Sequence, residues 1–329
     1  MIIEKILKQL TPERVKKEIE TVQKIKLPPE LQKWVRKYEK VGKRSEFFWK
    51  FIYQIYRIIK PFNLSAIYQN SIIEIKFLIV MFIILLDDIA DKTRNKTLLN
   101  ELLKIPLGWI NIKFNRLNQK EKIYLTITIN LWDYIKKTIS KYPRYKEFKD
   151  IFNYDINQTL NAMKYSYLIN EYPYLINKTE YWLYSPHTLQ GMINCTLDLM
   201  CLSKFNIREL GRVREIFWRG QKMARISNCL STWERELNER DLTSGIFVYS
   251  LSSGLLDVDI KNLNKKNIIA KINHSKIEGD LKKEWQQCYD EINYLCRKIK
   301  SINSTTVLGQ LEKLLLIYLI AEKYRPKIK

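Results

Sequence analysis

Ten consecutive apolar residues, Phe77 to Leu86 (FLIVMFIILL), run straight into three carboxylates, Asp87, Asp88 and Asp91. The run is about half the roughly 20 residues needed to span a bilayer. A helix apolar on every side must therefore be wrapped by other elements of the same protein. What wraps it is also predicted to be helical. The 329 residues contain only 9 Gly and 9 Pro, too few for the turns of a β-rich chain. Helical spacing of apolar side chains predicts helices over about 46–60, 71–91, 98–104, 119–139, 145–169, 187–203, 208–238, 278–301 and 305–324. Residues 1 to about 40 are highly charged, with LPPE near position 28 suited to a helix start. KTRNKT after Asp91 reads as a loop, and LTSGIFVYSLSSG as less regular. No repeat, linker or low-complexity segment divides the chain, so the expectation is one all-α domain over residues 1–329.

The formal net charge of +22 raises the local concentration of anions of any kind, whether nucleic acid, phospholipid or diphosphate. The chain is also crowded with Lys, Ile and Asn, as AT-rich coding would give, so charge alone selects no partner. Five cysteines without CxxC spacing read as reduced core residues, and two histidines are too few for a histidine-rich zinc site. The N-terminus is amphipathic and charged, unlike a signal peptide. With no transmembrane segment, a cytoplasmic protein is expected. A basic helical protein that docks on nucleic acid or an anionic membrane stays open as a non-enzymatic alternative. Neither a helix-turn-helix nor an interleaved basic–aromatic stripe supports nucleic-acid binding.

The aspartates carry the first chemical clue. On a helix, Asp87 and Asp91 share a face about 6 Å apart and repel one another. Their place at the C-terminal end of a buried helix adds desolvation and an opposing helix dipole. A divalent cation relieves all three costs, and Mg²⁺ accepts one or two protein carboxylates together with water and phosphate. Alone, the triad also suits an exposed helix end. About 140 residues downstream, Asn228, Thr232 and Glu236 fall at i, i+4 and i+8 in ARISNCLSTWERELNERD, three oxygen donors on one helical face. Arg225 and Arg235 flank them, and a guanidinium suits phosphate.

Together, DDxxD and NxxxTxxxE in a glycine-poor helical chain resemble the two metal motifs of the class I terpene synthases of microbial type. The resemblance spans nearly the whole chain and implies a single-domain helical barrel. It implies Mg²⁺, three ions shared with a substrate diphosphate, held by Asp87, Asp88, Asp91, Asn228, Thr232 and Glu236. The substrate implied is a linear isoprenyl diphosphate, farnesyl or geranylgeranyl, ionised and cyclised to a terpene with release of diphosphate. Arg225, Arg235 and the C-terminal pair Lys323–Tyr324 match diphosphate-binding positions. His187, four residues before Gly191, stands where the family tends to carry a diphosphate-sensing arginine. Cys229 and Lys323 depart from the commoner acid and arginine. Phe82, one turn before the aspartates, is a candidate pocket residue, whereas Trp233 is off the ligand face. Many members of the family are dimers, so a homodimer stays open, and chain-elongating isoprenyl diphosphate synthases, which carry two Asp-rich motifs, are the nearest alternative.

Overall fold

The computed structural model of the protein describes residues 1–108, 111–257, 264–301 and 303–324, the side chains of 304 and 322–324 excepted. It is 77% helical without strands among the described residues. Three helices occupy the charged N-terminal region: α1 (Ile2–Leu7), α2 (Pro12–Gln23) and α3 (Pro29–Tyr38). Thr11 accepts the Arg14 N–H at the head of α2, and proline opens both α2 and α3, where a missing N–H costs nothing. The aromatic α4 (Glu46–Ile58) precedes α5 (Ala66–Asp87), the predicted buried helix, in which every residue from Ile75 to Leu86 is buried. Helices α3, α4, α7 (Gln119–Ile139) and α10 (Gly191–Cys201) pack around α5. Asn118 and Glu121 form a reciprocal capping box that fixes the start of α7. The remaining helices are α6 (Lys96–Leu102), α8 (Tyr145–Glu171), α9 (Lys178–Tyr184), α11 (Leu210–Glu239), α12 (Gly245–Ser252), α13 (Lys265–Asn273), α14 (Ile277–Cys296) and α15 (Ser304–Tyr324). Buried apolar side chains connect without interruption from Ile3 in α1 to Ile320 in α15.

Besides α9 and α13, which no expected helix covered, three segments differ from the sequence expectation. The aspartate helix leaves α geometry at Asp88, and Asp88–Thr93 form a π-helical turn closed by Arg94 at φ 51°. Such turns accommodate one extra residue per turn and recur at functional sites. The continuous helix expected over 187–203 is broken: a 3₁₀ turn covers Ser185–Leu189, Gln190 adopts φ 62°, and α10 starts at Gly191. A Cβ on Gly191 would lie 2.8 Å from the Cβ of Gln221, so the break lets α10 approach α11 more closely than a side chain permits. The less regular stretch after Thr243 contains α12, which is wholly apolar over Ile246–Val248 and is buried there, so it shows no amphipathic period to read.

All five cysteines are buried and free. Among the described residues, no helix is long and apolar enough to cross a membrane. Phe82 lies in the core, its ring centroid 4.8 Å from that of Trp132, on a face of α5 turned away from the cavity described below.

Candidate active site

Helices α4, α5, α10, α11 and α15 surround a cavity of about 330 Å³. Positions 76, 80, 83, 84 and 87 of α5 line it, the 3.6-residue period of one helix face, and Asp91 continues that face through the π turn. From the opposite side, α11 contributes Ala224, Arg225, Asn228, Arg235 and Glu236. Aliphatic and aromatic side chains below these polar groups, among them Phe51, Ile55, Val80, Ile83, Phe217 and Leu314, make the wall apolar.

The acidic wall is electrostatically costly. Burial pushes the Asp91 carboxyl well above its ordinary range, and Asp241 and Asp87 push it further; the Arg225 guanidinium opposes. Asp87 is raised by burial and Asp88, against the pull of Arg44. With both carboxyls raised and only four positions apart, ionising one makes ionising the other harder. Asp88 behaves oppositely. Although burial opposes it, Arg44 and Lys92 hold it below its usual value. Its Oδ2 accepts the Tyr38 hydroxyl at 2.9 Å, and Oδ1 lies 3.1 Å from Arg44 Nη2 and 2.7 Å from Lys92 Nζ. Asp88 does not line the cavity.

The α11 wall carries its own cations. Buried Arg225 donates to the Tyr181 hydroxyl at 3.1 Å, to Asn228 Oδ1 at 3.1 Å and to the Thr243 carbonyl. Thr232 Oγ1 lies 2.7 Å from Glu236 Oε1 and 2.8 Å from the Asn228 carbonyl, so its single hydrogen serves one of them at a time. Thr232 is behind the cavity surface, between the two residues that reach it. Glu236 Oε2 is buried with no hydrogen-bond partner among the described residues. Burial and Asp241 raise this carboxyl to about 7, with Arg225 and Arg235 opposing. Arg235 pairs with Glu239 at 2.8 Å.

His187 is outside the cavity. Its ring centroid lies 4.9 Å from that of Trp218, and burial lowers its pKa to about 4, so it is neutral at pH 7. Thr188 to Gly191, not His187, line the wall there. The side chains of Lys323 and Tyr324 lie outside the described residues. The sequence reading missed two charged groups at the mouth. Arg44, in the turn before α4, reaches both Asp87 at 3.4 Å and Asp88, and faces the cavity. Asp241, just past α11, accepts from Asn170 Nδ2 at 3.2 Å and from the Thr243 N–H at 2.9 Å, and lies between the two walls electrostatically. Its place five residues after Glu236 is a visible clue; Arg44 has no comparable pattern.

Among the described residues, no three acidic, histidine or cysteine side chains converge as ligands of one ion. Mg²⁺ takes one or two carboxylates per ion and completes its shell with water and phosphate. The raised Asp87 and Asp91 carboxyls and the orphaned Glu236 oxygen are the ligand groups a divalent cation would satisfy.

No protein-family profile and no curated relative matches the chain. Solved structures do. Abietadiene synthase from Abies grandis superposes with TM-score 0.55 at 13% identity, over 92% of this chain; the chain spans only 37% of that protein's length. Linalool/nerolidol synthase from Streptomyces clavuligerus, solved with 2-fluorogeranyl diphosphate, gives 0.52 at 10% identity, over 88% of this chain and 94% of the other. Heptaprenyl diphosphate synthase from Staphylococcus aureus gives 0.53 at 14%, over 92% and 96%. The fold is that of the class I terpene synthases, shared with isoprenyl diphosphate synthases.

Proposed function

We propose that the protein is a Mg²⁺-dependent class I terpene synthase that ionises farnesyl or geranylgeranyl diphosphate and cyclises the allylic cation. The observation that carries this reading is the facing of Asp87 and Asp91 with Asn228 and Glu236 across one mouth, above an apolar cavity. Asp87 and Asp91 would hold Mg²⁺ from one side, and Asn228 and Glu236 from the other, with Thr232 behind the surface bonded to Glu236. Bound Mg²⁺ supplies Lewis acidity that offsets the negative charge growing on the departing diphosphate. Arg225, Arg235 and Arg44 add fixed positive charge at the same mouth, and Lys323 and Tyr324 are further candidates for diphosphate oxygens. In this scheme Asp88 anchors Arg44 and Lys92 rather than binding metal, and His187 stays a packed neutral ring. The apolar wall keeps water from the cation, and the faces of Phe48, Phe51 and Phe217 can stabilise positive charge.

Chain elongation is the competing chemistry of the same fold, and the α11 wall argues against it by offering Asn228, Thr232 and Glu236 in place of a second aspartate-rich motif. Incubation with Mg²⁺ and C10, C15, C20 or C25 isoprenyl diphosphate, followed by gas chromatography–mass spectrometry, separates the two. A cyclic product abolished by EDTA, Asp87→Ala and Glu236→Ala supports the cyclase. Longer prenyl diphosphates formed on adding a C5 diphosphate would reassign the protein to elongation.

A further inference from the structure

The deep end of the cavity is not a plain hydrocarbon surface. Lys76 lies on the cavity face of α5 three turns below Asp87, about 16 Å along the helix. Its ammonium is 2.7 Å from Oδ2 and 2.6 Å from Oδ1 of Asp198 on α10. Both residues are sealed, at 4% and 1% exposure. One turn along α10, Asn194 Nδ2 donates to the Tyr56 hydroxyl at 3.4 Å, while Asn194 Oδ1 is buried with no hydrogen-bond partner among the described residues. All four residues line the cavity. Taking an ion pair and an amide out of water is expensive, and a pocket that only moulds hydrocarbon gains nothing from them. A buried acceptor without a donor calls for one.

Behind this cluster lies a second cavity of about 410 Å³, which shares Tyr56, Lys76 and Asp198 with the first and has Asn63, Ser301 and Thr306 in its wall. The cluster thus divides an apolar chamber from a more polar one. A water molecule at the boundary would find two to four polar partners, as a buried water requires.

We infer that Tyr56, Asn194, Asp198 and Lys76 form a water-delivery site that ends the reaction by hydrating the final carbocation, making the product a terpene alcohol. This rests on the cyclase reading above. The water is held by Asn194 Oδ1 and the ion pair. Its oxygen lone pair forms the new C–O bond to the cationic carbon, and one of its O–H bonds breaks. The released proton goes to the Asp198 carboxylate, so that cation, water and carboxylate become alcohol and carboxylic acid. Burial raises the Asp198 carboxyl and Lys76 opposes that rise, because an ammonium in contact favours the carboxylate.

The test runs the wild type in ¹⁸O-enriched water and reads products by mass spectrometry. Two variants run beside it: Lys76→Met with Asp198→Leu, an apolar replacement of the whole pair, and separately Asn194→Leu. The major wild-type product is expected to be an alcohol carrying one ¹⁸O. In each variant its share relative to hydrocarbon should fall about tenfold or more, the scale of losing a charge-assisted partner. The ratio is internal to each reaction and so independent of overall rate, and either variant decides if the other does not fold. A wild-type hydrocarbon product, an unlabelled alcohol, or an unchanged ratio in the variants overturns the water-delivery site while the cyclase reading stands. Absence of turnover with every isoprenyl diphosphate overturns both.

Discussion

The two walls of the cavity mouth reach similar chemistry by opposite electrostatic designs. On α5 and its π turn the wall is anionic, and apart from Lys92 its countercharge comes from elsewhere, from Arg44 before α4, with a hydrogen bond from the Tyr38 hydroxyl. On α11 the donors Asn228 and Glu236 share a helix with Arg225 and Arg235, so most of the countercharge is built in. The first wall is therefore strained without a cation, and the second is held by a hydrogen-bond network that exists before any ligand binds. A wall of the first kind should gain stability when its charge is removed and lose function at once. In a wall of the second kind, removing the guanidinium that holds the network should cost both together.

The largest effect expected is at Asp91. Asp91→Asn should lower turnover about a thousandfold, the scale of losing a key electrostatic group in the transition state. In EDTA the same variant should melt at a higher temperature than the wild type, since Asp91 ionises only against burial, Asp241 and Asp87. A lower melting temperature would break the contrast. The pH dependence has the matching sign. Asp87, Asp91 and Glu236 all have carboxyls raised by folding, so their contribution to stability is complete below the ordinary carboxylate range and is lost as pH rises, for Glu236 through about 7. Metal-free protein should thus be less stable at pH 8 than at pH 5 on account of these groups. Mg²⁺ with inorganic pyrophosphate should narrow the gap, as calorimetry at the two pH values would show.

Next in size is Glu236→Gln, expected to cost about a hundredfold in turnover with little change in melting temperature, because Thr232 can still donate to the amide oxygen. Arg225→Lys tests the preformed network. An ammonium cannot reproduce the fork that spans Tyr181, Asn228 and Thr243, so denaturant unfolding should show a loss of about 2 kcal/mol alongside reduced turnover. Retention of full stability would mean that the α11 wall is not held by this guanidinium.

The smallest effect belongs to His187, which neither wall includes. Its pKa is lowered by burial to about 4, so the unfolded chain takes up its proton first, and the stability this confers is present above about pH 6.5 and lost as pH falls toward 4. His187→Gln should leave turnover at pH 7 within a few-fold of wild type and flatten the acid loss of stability by at most about 3 kcal/mol, read from urea unfolding at pH 7.5 and 4.5. A loss of turnover as large as that of Glu236→Gln would return His187 to the diphosphate site.

Much of this was legible in the residues themselves. The ten-residue apolar run and the scarcity of glycine and proline determined a buried helix in a helical protein, because an all-round apolar surface has to be enclosed and long helices need few turns. The i, i+4 and i, i+4, i+8 spacings placed Asp87 with Asp91, and Asn228 with Glu236, since helical periodicity is a local property. Tertiary structure alone decided the rest. Whether Asp88 and Thr232 face the cavity or stand behind it depends on the π turn and on the partners Tyr38, Arg44 and Glu236. Arg44 and Asp241 join the mouth through turns whose direction no periodicity encodes. Lys76 and Asp198 lie 122 positions apart in the chain, and no sequence pattern pairs them. A charge buried in an apolar helix demands a partner, but only the packing of α5 against α10 could say that each is the other's.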